Sequence, residues 1–165
     1  MNRQVTIQTP FGHVTAEWSD RVLSSIRLGA YVGSGSDVIV VSGDPPKGGE
    51  PVVAGLIAHF QGETNGLPAP SFLPDGSPFQ QTVWRSTLDV PFGETVSYGQ
   101  IAERVGRQAG ASRAVGMALN RNPLPLIIPC HRVVSSTGEL MGFAAGLSWK
   151  RALLGLEVSQ ISLAL

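Results

Sequence analysis

The chain has 165 residues, of which 42% are hydrophobic and 15% are charged, a composition that indicates an ordinary globular protein and excludes a disordered one. Its 12 basic and 12 acidic side chains give zero net charge, which argues against a strongly basic nucleic-acid-binding protein. No apolar run approaches the roughly 18 residues of a membrane span and the N-terminus lacks a signal-peptide core, so we expect a soluble, cytoplasmic protein with no membrane segment.

The zero net charge hides an asymmetry between the two halves of the chain. Residues 1–76 carry four basic and seven acidic side chains, whereas residues 77–165 carry eight basic and five acidic ones. Any contact with a polyanion is therefore expected in the second half. Residues 66–76 are rich in proline and glycine, the composition of a linker. We predict an N-terminal α/β lobe over residues 1–75, ending in this linker, and a second domain over residues 76–165.

The pattern of the first domain predicts a small antiparallel sheet with one covering helix. Strands are expected over residues 5–7, 13–18 and 22–28, because β-type residues there are separated by turn signals. Apolar residues from Val52 to Phe60 recur at helical spacing, which predicts a helix with one buried face. This helix is expected to cover the sheet.

The second domain is predicted to be mostly helical, which makes the chain an α+β protein. Ser77 is expected to cap a helix that starts at Pro78, and Ser97 to cap a second helix over about residues 98–105. A third helix is predicted over residues 111–119, and the glycine-containing turn before it indicates a helix-turn-helix. An amphipathic final helix is predicted over residues 147–156.

The only cysteine lies in residues 120–134, where prolines at positions 123, 125 and 129 interrupt an apolar run. This pattern predicts an extended, buried and rigid strand around Cys130. His131 follows directly, and a neighbouring base favours the thiolate that a cysteine nucleophile needs. The residue types leave two interpretations open: an activated nucleophile, or a small buried hydrophobe with His131 facing away.

Several motifs in register resemble the O6-alkylguanine-DNA alkyltransferases, also called methylated-DNA–protein-cysteine methyltransferases. The most specific one is Pro129-Cys130-His131-Arg132-Val133, which matches the active-site signature of that family. The other matching motifs are Phe79-Gln80, Val83-Trp84, Pro91-Phe92-Gly93-Glu94-Thr95, Ser97-Tyr98, Arg113-Ala114-Val115-Gly116, Asn122-Pro123, and Leu153-Leu154 with Glu157. The resemblance covers the C-terminal half, and the N-terminal half matches in pattern only.

The resemblance implies direct reversal of DNA damage, in which an alkyl group moves from O6 of guanine to Cys130 once and without a cofactor. O4-alkylthymine is a second candidate substrate. Cys130 is the implied nucleophile, with His131 as a base acting through a water and Glu157 as the partner of His131. Asn122 is expected to tie the cysteine segment to the preceding helix. The expected partner is double-stranded DNA containing O6-alkylguanine, bound by a monomer either singly or cooperatively.

The resemblance also assigns residues to base flipping and DNA binding. Arg113 is expected to insert between bases, and Tyr98 to contact the flipped base and push the target phosphate. The neighbours of Arg113 expected at the minor groove are Ser112, Ala114, Gly116 and Met117. The substrate pocket is expected to be lined by Tyr98, Val133, Phe143, Ala144 and Ala145. From residue types alone, Arg113 is equally compatible with a surface arginine, and Glu157 is more typical of a solvated residue at a helix end.

Two departures from the family pattern carry predictions. Phe143 replaces a frequent tyrosine, and alanines at 144 and 145 replace frequent serine or glycine, so we predict weaker activity on bulky adducts than on O6-methylguanine. The N-terminal cysteines and histidines with which some relatives bind zinc are absent, so no metal is expected.

Three other classes of protein compete with this interpretation. A helix-turn-helix transcription regulator would need polar base-reading side chains, and residues 111–119 offer few. An alkyltransferase-like protein that binds lesions without repairing them would lack the cysteine. A cysteine hydrolase would need a glycine motif that forms an oxyanion hole near its nucleophile. Arg132 is compatible with a structural role or with one facing phosphate.

Overall fold

The N-terminal half of the protein is a four-stranded antiparallel sheet with one helix against it. The computed structural model describes residues 1–33, 35, 37–63 and 66–164. Strands β1 (Asn2–Thr9), β2 (Gly12–Ser19), β3 (Val22–Leu28) and β4 (Ile39–Ser42) lie in the order β3-β2-β1-β4. Helix α1 (Glu50–Phe60) packs on β1 and begins two residues before the predicted start, at a proline-containing first turn. The predicted meander and its covering helix are confirmed.

Four helices dominate the C-terminal half: α2 (Pro78–Leu88), α3 (Tyr98–Arg104), α4 (Ser112–Asn120) and α5 (Leu147–Ala164). Ser77 and Ser97 cap α2 and α3 as predicted, and each forms a capping box with the glutamine three residues later. Helices α3 and α4, joined by residues 105–111 with a short 3₁₀ turn, form the predicted helix-turn-helix. The α+β fold class predicted from the sequence is confirmed.

The two halves share one hydrophobic core. The backbone N–H of Ile26 on β3 donates to the carbonyl of Pro123 over 2.8 Å. Trp149 on α5 donates from its indole nitrogen to Gly29, also over 2.8 Å, and packs edge-on against Phe11 and Phe60. These contacts hold the N-terminal sheet against the segment that leads to the cysteine.

The backbone around the cysteine differs from the predicted strand. Cys130–Arg132 is a 3₁₀ turn, and only Val133–Val134 forms a strand, β6, which pairs in parallel with β5 (Val96–Ser97). The turn closes through a 2.9 Å hydrogen bond from the N–H of Arg132 to the carbonyl of Pro129. Pro129 adopts a ψ of 63°, which is not an extended conformation and bends the chain just before the thiol.

The last helix is longer than predicted. Helix α5 continues to Ala164 rather than ending at Leu156, because no glycine or proline after Leu156 stops it. Glu157 therefore lies inside the helix, with no exposed surface. The alternative in which Glu157 is a solvated residue at a helix end is wrong. Within the described part of the chain, no helix combines the length and apolar character needed to cross a membrane.

Candidate active site

The thiol of Cys130 is buried and held by one asparagine. Asn122, just after α4, donates from Nδ2 to Cys130 Sγ over 3.3 Å and to the carbonyl of Ile128 over 3.0 Å. Its Oδ1 accepts from the backbone N–H of Leu124 over 2.9 Å. An asparagine amide carries two N–H donors, so one side chain can make both donor contacts at once. Asn122 therefore joins the end of α4 to the 3₁₀ turn of the cysteine, the link that the resemblance implies.

The protonation of Cys130 reflects opposing influences. Burial raises the pKa of the thiol, whereas the hydrogen bond from Asn122 and the positive charge of Lys150 lower it. Burial is the largest of these influences, so the thiol is protonated in the resting site. Forming the thiolate requires a base that removes its proton.

His131 is paired with a buried carboxylate. His131 Nε2 lies 2.7 Å from Glu157 Oε1, and both side chains are completely buried. Burial tends to raise the pKa of Glu157, but the hydrogen bonds and charges of His131 and Arg132 outweigh it and lower the pKa to about 2. An ionised carboxylate accepts hydrogen bonds and donates none. His131 therefore carries its proton on Nε2, and its other ring nitrogen, Nδ1, has no partner among the described residues.

Arg132 completes this buried cluster. Its Nε and Nη2 donate to Glu157 over 2.9 to 3.2 Å, and its Nη1 donates to the carbonyl of Val90 over 2.8 Å. The guanidinium also lies over the ring of Phe92, 5.6 Å from the centroid. Arg132 is structural, and the alternative in which it faces a phosphate is wrong, because its donors point into the protein.

A cavity of about 270 Å³ opens at the thiol. Cys130 and Asn122 line it together with four of the predicted pocket residues, which are Tyr98, Phe143, Ala144 and Ala145. Val133 is the exception: it enters β6, is fully buried, and does not line the cavity. Residues 26–28 of β3 form a further part of the wall, which the sequence did not predict because it depends on how the two halves pack.

Lys150 is a buried residue of the site that the sequence analysis missed. Its Nζ donates to the carbonyls of Val133 and Met141 over 2.6 and 2.8 Å, and to Tyr98 Oη over 3.2 Å. Burial lowers its pKa to about 8, opposed by the charge of Cys130, so the ammonium persists at neutral pH. Its spacing is a usable signal, because Lys150, Leu153 and Glu157 fall on one face of a helix.

The predicted DNA-binding residues lie on the outer face of α4. Arg113, Ala114 and Met117 are exposed, whereas Ser112 and Gly116 are half-buried. The opposite face, with Val115, Ala118 and Leu119, packs into the core. A side chain built at Gly116 would approach the Tyr98 ring to 3.7 Å, so this face of α4 borders the cavity.

A second buried histidine contacts the same carboxylate. His59 Nε2 lies 3.9 Å from Glu157 Oε1. Burial, followed by the charge of His131, lowers its pKa from 6.5 to about 4. Among the described residues, no group of three or more His, Cys, Asp or Glu side chains is arranged to hold a metal ion.

We expect mild acid to destabilise the protein through His59. The unfolded chain takes up a proton at this histidine below pH 6.5, whereas the folded protein does so only near pH 4. The free energy of unfolding should therefore fall by about 3 kcal/mol as the pH drops through this window. Urea unfolding at about pH 7 and pH 4.5 measures the loss, which should be smaller in His59→Phe and unchanged in the exposed control His13→Phe. An undiminished loss in His59→Phe would contradict the assignment.

A buried thiol beside a histidine–glutamate pair, in a cavity bordered by a helix-turn-helix, is the arrangement of a DNA-binding protein with a reactive cysteine. Residues 78–159 match the sequence model of the family described as 6-O-methylguanine DNA methyltransferase, DNA binding domain. A methylated-DNA–protein-cysteine methyltransferase of Mycobacterium bovis is 40% identical over 155 residues, covering 94% of this chain and 92% of the relative. One of Methanosarcina acetivorans is 47% identical over 104 residues, covering 63% of this chain and 65% of the relative.

Solved structures agree with these sequence matches. The crystal structure of the O6-methylguanine methyltransferase of Mycobacterium tuberculosis has a TM-score of 0.75 at 37% identity, covering 99% of this chain and 99% of that one. The structure of Mycobacterium tuberculosis OGT in complex with DNA has a TM-score of 0.73 at 39% identity, covering 94% and 92% of the two chains. The chain belongs to the methylated-DNA–protein-cysteine methyltransferase family.

Proposed function

We propose that this protein repairs alkylated DNA by transferring the alkyl group of O6-alkylguanine, O6-methylguanine in particular, to Cys130. The observation that carries the proposal is the position of Cys130 Sγ, in a cavity bordered by the helix-turn-helix and beside Asn122, His131 and Lys150. In the transfer the S–C bond forms, the C–O6 bond breaks, and the electron pair stays with guanine. The product is a thioether, so each molecule acts once.

The buried cluster supplies the thiolate. His131 carries its proton on Nε2 and donates a hydrogen bond from this nitrogen to Glu157. Its Nδ1 is therefore left to take the proton of Cys130 through a bridging water. Asn122 and the charge of Lys150 then stabilise the thiolate in a buried site. Glu157 orients His131 and favours its charged form.

The leaving guanine needs a proton, and Tyr98 can give one by turning its hydroxyl away from the carbonyl of Met141, to which it donates over 2.9 Å in the resting site. Its hydroxyl is the one hydroxyl group among the cavity-lining residues that the structure describes. Lys150 donates to this oxygen over 3.2 Å, which stabilises a developing phenolate. We therefore assign Tyr98 as the donor to the departing base.

DNA binding follows from the same geometry. The O6 atom lies inside the duplex, so the base has to be flipped into the cavity at a cost of a few kcal/mol. Arg113 would occupy the space in the stack, while Ser112, Ala114, Gly116 and Met117 lie along the minor groove. The partner is double-stranded DNA that contains O6-alkylguanine, and its chemistry implies an intracellular location on the chromosome. We also propose that residues 1–75 act as an N-terminal lobe packed on a DNA-binding and alkyl-acceptor domain of residues 76–165.

Intact mass spectrometry tests the proposed function. Incubation with duplex DNA containing O6-methylguanine should add one methyl group to the protein, and the modification should map to Cys130. Cys130→Ser should acquire none while keeping its fold. Repeated turnover without an adduct, or no reaction at all, would refute transfer to this cysteine.

We expect Arg113→Ala to slow methyl transfer from duplex DNA by about 10- to 100-fold, because the side chain that fills the gap left by the flipped base is removed. This slowing corresponds to a loss of about 1.4 to 2.8 kcal/mol of transition-state stabilisation. Transfer from the free base O6-methylguanine should be unchanged, since nothing has to be flipped. Single-turnover rates on both substrates measure the difference. Arg85→Ala, on the exposed face of α2, is the matched control. Equal slowing on both substrates would argue against a flipping role.

We expect O6-benzylguanine to react more slowly than O6-methylguanine. The methyl groups of Ala144 and Ala145 take up space in a cavity of about 270 Å³, and Phe143 adds an apolar wall. Competition between the two free bases for Cys130 measures the preference. Ala145→Gly should reduce the preference for O6-methylguanine, whereas the exposed Ala69→Gly should leave this preference unchanged. Comparable rates for the two bases in the unmodified protein would contradict a narrow pocket.

A further inference from the structure

His59 occupies a position that the thiol chemistry above does not use. It lies in the last turn of α1, is 2% exposed, and its Nε2 has no hydrogen-bond partner among the described residues. This nitrogen lies 3.9 Å from Glu157 Oε1, the oxygen that also faces His131 Nε2. A buried polar atom without a partner is destabilising. Its place beside the carboxylate therefore calls for a functional explanation.

His59 also reaches a second opening in the surface. Phe60 and Phe92 hold its imidazole edge-on, with ring centroids 5.5 and 5.8 Å away. The ring lines a cleft of about 640 Å³, together with Arg132 and Asp89. This cleft shares no lining residue with the cavity at Cys130. His59 therefore lies between the buried carboxylate and a separate route to solvent.

A route of this kind matters because the cavity at Cys130 is closed while DNA is bound. A flipped guanine fills the cavity and the bound duplex covers its mouth, which together close that path to bulk water. The thiol proton moves to His131, whereas guanine receives a different proton from Tyr98, whose phenolate regains one from the Lys150 ammonium that donates to it. The proton on His131 then leaves on the side of Glu157, because the occupied cavity offers no exit.

We propose that His59 is a positioning residue that acts through Glu157 and relays the proton of His131 to water in the cleft. This inference rests on the proposed function. With its own proton on Nδ1, His59 can accept at Nε2 and release from Nδ1. The 3.9 Å distance to Glu157 Oε1 is too long for a hydrogen bond from Nε2–H, so the ring is not held in the tautomer with its proton on Nε2. A shift of about 1 Å brings the two atoms within bonding distance.

The charges around His59 favour passage of the proton over its retention. Glu157 attracts a proton to the ring, whereas His131 and Arg132 oppose it. With burial as the largest influence, the pKa of His59 is about 4. A proton that arrives at neutral pH therefore leaves for the cleft.

Single-turnover methyl transfer from duplex DNA to Cys130 tests the relay in His59→Ala and His59→Gln, with the exposed His13→Ala as control. Groups that transfer protons directly to or from the reacting atoms raise a reaction rate by about 10²- to 10⁴-fold. Because His59 acts indirectly, we expect both variants to react about tenfold more slowly with DNA. With free O6-methylguanine as the substrate, both variants should react at the rate of the unmodified protein, because no duplex then covers the mouth of the cavity. Added imidazole should restore the rate of His59→Ala, which has space for it, and not that of His59→Gln.

Undiminished rates on DNA in both variants would overturn the relay. Equal slowing on DNA and on the free base would also overturn it, because it would indicate a damaged site. If His59→Ala does not fold, the two substrate rates of His59→Gln decide the question. A failure of the proposed function is distinguishable, because the unmodified protein would then acquire no methyl group.

Discussion

Replacing Glu157 with glutamine is expected to slow methyl transfer by about 10²- to 10³-fold and to lower the free energy of unfolding by about 3 to 5 kcal/mol. The rate falls because a neutral amide no longer favours the charged form of His131, the proposed base for Cys130. The stability falls because Arg132, which donates to both carboxylate oxygens, becomes a buried charge without a counterion.

Single-turnover kinetics and urea unfolding measure the two effects of this substitution. Glu103→Gln, on the exposed surface of α3, is the matched control and should change neither quantity. Because the thiolate can be formed by bulk hydroxide at high pH, the rate of Glu157→Gln should recover partly as the pH rises. A variant with normal rate and normal stability would show that Glu157 neither supports His131 nor neutralises Arg132.

The parts of the fold that depend on local pattern were predictable from the sequence. Ser77 and Ser97 precede glutamines at the capping-box spacing, and both helices begin where this chemistry places them. The strands of the meander likewise follow from apolar alternation and turn residues. Local rules are sufficient here because each of these elements satisfies its own backbone hydrogen bonds or pairs with its neighbour in the chain.

The parts of the site that depend on distant contacts were not predictable. The apolar run before Cys130 has the pattern of a strand. The 3₁₀ turn found there is held in place by Asn122, eight residues away, and the local pattern does not reveal this contact. The cavity wall from β3 depends on the packing of the two halves, which includes the hydrogen bond from Ile26 to Pro123. Helical spacing places Lys150 on the face of α5 that carries Leu153 and Glu157, but nothing in the sequence near Lys150 or His59 reveals which other elements close over them. The positions of site residues followed mainly from the family motif.

The structure also weighs against a helix-turn-helix transcription regulator. The outer face of α4 presents Arg113 with Ala114 and Met117, so it offers few side chains that can read base edges. Small residues instead allow close approach to the minor groove, as the proposed base flipping requires. The buried cluster at Glu157 has no purpose in a regulator, whereas it contains the base that we propose for the thiol.

Substitution of Lys150 by methionine is expected to slow methyl transfer at neutral pH by about 10- to 100-fold, since each 1.4 kcal/mol of lost transition-state stabilisation reduces the rate about tenfold. The ammonium lowers the pKa of Cys130, which burial otherwise raises. It also donates to Tyr98, so its loss weakens the proposed proton donor for guanine as well as the proposed nucleophile. Methionine keeps the length and the apolar stem of lysine, which limits the change in packing.

The pH dependence separates these two roles of Lys150. If the charge acts mainly on Cys130, the rate of Lys150→Met rises toward that of the unmodified protein as the pH increases, because more thiol is ionised. If it acts mainly through Tyr98, the deficit persists at high pH. The chain has a second lysine, the exposed Lys47, and Lys47→Met is the matched control. A normal rate in Lys150→Met throughout the pH range would show that the buried ammonium only holds the carbonyls of Val133 and Met141 in place.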